Sequence, residues 1–145
     1  MSSSKQILLD LMEELSGEFL SDSFTVRGRV WEMRLLNEEE TAWSFSMLRS
    51  NNQLSVALSA RLAQLAVGIR SVNGEKLSEM FKAEYSSLSE GELDELKDLP
   101  YDLVIAKLFY DYLKKLPPTF IGELYENWQK LEIRRAEAQK EIKNS

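Results

Sequence analysis

Apolar positions change their period several times along the chain, and each change marks a new element. Ile7, Leu8, Leu11, Met12 and Leu15 recur at three- and four-residue spacing with Gly17 as a stop, which predicts an amphipathic helix over 4–16. That helix either docks on its own domain or forms a detachable arm for a partner's groove, and at this length it is marginal in water alone. From Phe24 the period drops to two. Phe24 and Val26 alternate with Thr25 and Arg27, and Trp31, Met33 and Leu35 alternate with Glu32 and Arg34, across a break at Gly28. The segment 24–36 therefore reads as a β-hairpin with Trp31, Met33 and Leu35 on one buried face. A lone hairpin is marginal in water, so it needs helices beneath it or a strand from a partner.

Helical spacing returns at Asn37, which reads as an N-cap before Glu38, Glu39 and Glu40, with Glu40 at the capping-box position and Trp43 and Met47 turned inward. The three adjacent acids are explained by a solvated first turn at a positive helix end. Leu54, Leu58, Leu62, Leu65 and Ile69, flanked by Ala57, Ala60, Ala63 and Ala66, form the strongest helical pattern and predict the central core helix. Its alanines admit close packing by a neighbouring helix or by a second copy, so self-association stays open. Gly68 near its end is expected to cost about 1 kcal/mol relative to Ala. Asn73-Gly74 is a tight turn, followed by a short helix carrying Leu77, Met80, Phe81 and Tyr85. Together 38–85 make up the central helices.

Residues 86–99 form an acidic connector with a short helical signal at Leu93 and Leu96. Pro100 then opens a helix with Leu103, Val104, Leu108, Tyr112 and Leu116, ended by Pro117-Pro118. A last helix from Thr119 carries Phe120, Ile121, Leu124, Tyr125, Trp128 and Leu131, then turns polar from Arg134. That tail is expected to protrude, as a mobile end or as a partner-binding extension. The C-terminal helices thus occupy 100–143. The expected architecture is a single domain over 1–145, mainly α (α+β), with a bundle of about five to six helices and a small N-terminal β-hairpin.

Composition narrows the chemistry. Among 145 residues there is no Cys and no His, which removes disulfides, thiolate nucleophiles, Cys/His zinc sites and Ser-His-Asp catalysis. Glu38, Glu39, Asp94, Glu95, Asp98 and Asp102 could serve acid–base work, but nothing in their spacing sets two of them across a cleft. Phosphate-loop, dinucleotide and calcium-loop motifs are absent. No catalytic residue, cofactor or metal is expected, and the chain is read as a non-enzyme. The net charge is −6, and each half carries −3, so no basic stripe invites nucleic acid. Leu54 to Ile69 is broken by Ser55, Ser59, Arg61 and Gln64, short of a membrane span. No secretory signal follows Met1, and cytoplasmic synthesis is expected.

Read as one unit, the chain runs Val-Trp-Glu-Met-Arg-Leu-Leu (30–36), Asn-Glu-Glu-Glu-Thr-Ala-Trp (37–43), an alanine-rich helix, then Ile-Arg-Ser-Val-Asn-Gly-Glu (69–75). That order resembles the tail-assembly chaperones of tailed bacteriophages and the related baseplate-hub assembly chaperones. In that group a small β element ending Arg-Leu-Leu and an acidic helix start precede a helix and an Ile-x-x-Val-Asn-Gly turn. Leu103, Leu108, Tyr112 and Leu113 look like the group's C-terminal helical half, and the resemblance covers about 24–130.

The resemblance implies a non-enzymatic protein of the infected bacterial cytoplasm. It would bind and solubilise a tape-measure or baseplate-hub protein during virion morphogenesis and need not be retained in the finished virion. Trp31, Met33, Tyr125 and Trp128 are the candidate partner-binding residues, each also suited to the core. The alternatives are a structural virion protein of the tail or baseplate, or a generic helical protein-binding adaptor.

Overall fold

The structure, a computed structural model, describes residues 4–10, 21–49 and 56–144. Residues 4–10 are helical (α1) and all seven are exposed, while 11–16 of the expected N-terminal helix lie outside the described residues. The hairpin is present as β1 (Ser21–Val26) and β2 (Arg29–Arg34), shifted towards the N-terminus of the expected 24–36. Arg27 and Gly28 join them, both at positive φ (50° and 80°). That is the type I′ geometry whose twist matches the flanking strands.

The hairpin finds its third strand in its own chain. α2 (Glu38–Arg49) and α3 (Val56–Gly68) leave the sheet and return as β3 (Ile69–Val72). β3 pairs antiparallel with β2, Trp31 opposite Val72 and Met33 opposite Ile69, with an irregularity between Glu32 and Met33. β4 (Glu75–Lys76) follows through Asn73-Gly74, a second turn with both residues at positive φ (51° and 81°). The sheet order is β1-β2-β3-β4, antiparallel throughout. The fold is mainly α with a sheet, as expected, and the single small hairpin is corrected to a four-stranded sheet.

Helix number also exceeds the five or six expected, with eight among the described residues. One cause is Phe81, whose φ −103° and ψ 15° divide the expected 77–85 helix into α4 (Leu77–Met80) and α5 (Lys82–Ser86). Another is α6 (Glu90–Leu96) inside the acidic connector, started by a complete capping box between Ser89 and Glu92. α7 (Tyr101–Leu113) and α8 (Pro118–Asn144) complete the chain. In α8 the buried stripe Ile121, Leu124, Trp128 and Leu131 joins the core, and in the polar end beyond it Ala138 is buried while Arg134, Glu137, Lys140 and Glu141 are exposed.

The core lies between the inner face of the sheet and α3, α7 and α8. Met33, Leu65, Tyr110, Leu113, Leu124 and Leu131 have no exposed surface, and one cluster joins Val26 to Leu131. Ala63 and Ala66 are buried in α3, which packs against α7 and α8, as the small-residue spacing predicts. Two of the three buried indoles reach across to backbone carbonyls: Trp31 Nε1 donates to Val26 O at 3.2 Å and Trp128 Nε1 to Arg34 O at 3.0 Å.

Candidate interaction groove

The paired residues Trp31 and Val72 end one side of the sheet, and helices α4, α7 and α8 arrive beside them. Between these elements runs an open groove of about 500 Å³ with a mainly apolar lining. Met80 and Phe81 come from the α4–α5 break, Phe109 and Tyr112 from α7, Leu116 from the connection after it, and Phe120 from the first turn of α8. Arg29 and Glu84 supply one charge of each sign.

Aromatic contacts hold this lining in shape. Phe81 sits 5.7 Å from Phe109 and 6.1 Å from Tyr112, tilted to both, while Phe109 and Tyr112 stack at 6.3 Å. Trp31 meets Phe120 edge-on at 5.7 Å. The other contact of Phe120 is the Arg27 guanidinium, 5.0 Å from the ring centroid, and Arg27 Nε donates to Glu123 Oε2 at 2.7 Å. Rings placed this way are rigid and preorganised, which lowers the entropy lost when a partner settles on them. Met80 and Tyr112 remain 38% and 48% exposed, so the groove is open on their side.

A second depression, of about 510 Å³, lies where β2, α2 and β3 meet and is polar. Its centre is Glu40, 7% exposed. Arg34 Nη2 donates to both Glu40 oxygens at 2.7 and 2.8 Å, Arg70 Nη2 donates to Oε2, and the Asn37 amide donates to Oε1 at 2.9 Å. Asn37 Oδ1 in turn accepts from the Glu40 amide at 2.8 Å, so the capping box read from the sequence is formed. The two arginines were not anticipated in this role. Arg34, Arg70 and Lys76 face Glu32, Glu40 and Asp102 in the lining, which leaves no surplus charge for a ligand. The carboxylate is committed to fastening two strands and a helix start.

The four candidate partner-binding residues are not brought together. Met33 and Trp128 are core residues (0% and 3% exposed), Met33 on the inner face of β2 and Trp128 on the buried stripe of α8. Trp31 is buried too, but its ring lines the groove. Tyr125 is half-buried elsewhere on α8, stacked on Trp128 at 5.7 Å with Arg61 over its ring, and burial raises its phenol pKa above the usual value. The groove residues Met80, Phe81, Tyr112 and Phe120 were legible only as helical apolar positions, and Phe109 was not singled out. Three separate segments supply them and β2 adds Trp31, and no spacing in the sequence connects those segments.

The acids considered for acid–base work, Glu38, Glu39, Asp94, Glu95, Asp98 and Asp102, are all exposed. Among the described residues no group of three or more acidic, Cys or His side chains is placed to hold a metal ion, and no helix is long and apolar enough to cross a membrane. No protein-family model, curated protein or solved structure matches the chain.

Proposed function

We propose that this protein is a non-enzymatic assembly chaperone of the tailed-phage type, which takes an apolar helix of a tape-measure or baseplate-hub protein into its aromatic groove. The observation that carries the reading is the groove itself: an apolar lining of preorganised rings, open to solvent at Met80 and Tyr112, on a body of net charge −6. Helix-in-groove recognition uses apolar anchors at i, i+3, i+4 and i+7, and a long helical client offers many such sets. Holding a client shields apolar surface that would otherwise pair with other chains, while the acidic body keeps the complex dispersed. Support for the phage setting is the resemblance of segments 30–36, 37–43 and 69–75 to that chaperone group. Its site of action is then the cytoplasm of the infected host.

Co-expression with tape-measure or hub segments is the direct test. The native chain is expected to raise the soluble fraction of one of them. The Tyr112→Glu variant, altered at an exposed ring, is expected to lose this effect while keeping its fold. Client solubility unchanged by the native chain defeats the proposal.

A further inference from the structure

Helix α1 carries apolar side chains with no core to cover them: Ile7, Leu8 and Leu9 are 52%, 62% and 49% exposed. A helix this short gains little stability from its own hydrogen bonds and needs an apolar surface to persist. The body of the same chain holds an uncovered groove lined by Trp31, Phe81, Tyr112 and Phe120. We propose that this groove is the docking site of the chain's own N-terminal amphipathic helix, which forms an intramolecular strap across it. One consequence rests on the chaperone reading: a client helix must displace the strap, so the groove stays covered until a client arrives.

Reach favours the chain's own helix. Ser21 begins β1 opposite Arg34, and Trp31 lies three residues from Arg34 along β2. Three residues at ~3.4 Å and one strand spacing of ~4.8 Å separate Ser21 from Trp31 by about 11 Å. Residues 11–20 join α1 to β1. Ten residues span at most about 35 Å extended, and about 15 Å even as a helix. Either length covers the distance. A tether this short gives an effective concentration on the order of millimolar, so at micromolar protein the helix of a second copy cannot compete.

Pattern fits as well. In the sequence the apolar positions continue from Ile7 and Leu8 to Leu11, Met12 and Leu15, the spacing a groove reads.

The absence of native cysteine allows a clean test in the full chain. A nitroxide attached to Ser4→Cys is expected to broaden the Met80 methyl resonance. That broadening should not depend on protein concentration, and Leu8→Glu should abolish it. Leu8 is exposed, so that variant should keep its circular dichroism; Tyr112→Glu, on the groove side, should abolish the broadening equally. A Met80 signal of full intensity in the labelled native chain overturns the strap. Broadening seen only when nitroxide-labelled and isotope-labelled copies are mixed overturns it too, in favour of exchange between copies. Client solubilisation without broadening leaves the chaperone reading standing and removes the strap; broadening without client binding does the reverse.

Discussion

Replacing Gly68 by Ala should destabilise the protein, although helix propensity alone says the opposite. Gly68 ends α3 without a positive φ, so its backbone is open to any residue. The constraint is space: a Cβ built there meets Trp128 Nε1 at 2.7 Å, Trp128 Cδ1 at 3.0 Å and Arg34 O at 3.3 Å. Those atoms form the hydrogen bond from the buried indole of α8 to the backbone of β2. The methyl group therefore sits at the junction of three elements. Propensity returns up to about 1 kcal/mol. Against it stand overpacking at about 1–3 kcal/mol and a buried indole N–H stripped of its acceptor at about 1–3 kcal/mol. A net loss near 3 kcal/mol is expected, which for a domain of this size lowers Tm by about 6–12 °C. Thermal unfolding followed by tryptophan fluorescence measures it. Gly122→Ala in α8, where a Cβ meets nothing within 4 Å, is the control and should gain about 0.5–1 kcal/mol. A Gly68→Ala protein as stable as the native one, beside a control that behaves, refutes the reasoning.

Other perturbations test the remaining contacts. Glu40→Gln leaves Arg34 and Arg70 facing each other without their shared carboxylate, and a loss of about 2–3 kcal/mol is expected in urea unfolding, below the full buried-pair figure because both arginines keep solvent contact; an unchanged midpoint contradicts the fastening role. Asn73→Ala forces a methyl side chain into positive φ and removes the acceptor of the Val30 amide at 2.8 Å, so about 1–3 kcal/mol should be lost, and Asn73→Gly, which keeps the turn, should lose less. The hydrogen bond from Arg134 holds the Asp22 carboxyl below its ordinary 3.8, so its stabilisation is present above that pH and fades as pH falls through the lowered value. Because both partners are more than two-fifths exposed, Asp22→Asn should flatten the acid limb of the stability profile by less than ~1 kcal/mol, and a larger change measured by acid titration counts against this assignment.

Local physics was legible in the chain. The capping box of Asn37 and Glu40, the turn at Asn73-Gly74, the hairpin around Gly28 and the apolar stripes of α3, α7 and α8 each depend on residues a few positions apart. Strands β3 and β4 were not legible. Four and two residues are too few to display a period, and Ile69 fits a helical stripe as well as a strand until β2 is there to pair with it. Gly68 read as a tolerated weakness because its reason lies on Trp128, sixty residues away. The same holds for Arg70, whose partner Glu40 is thirty residues distant, and for the groove, whose rings come from β2, the α4–α5 break, α7 and α8.

The sequence by itself determined the first hairpin and the longer helices, where most of them start, and that Cys and His chemistry is excluded. Tertiary structure decided which strands pair, which aromatic residues fill the core and which line an open surface. Periodicity records only whether a residue faces its neighbours within a turn or a pleat, whereas burial depends on what another part of the chain brings against that face.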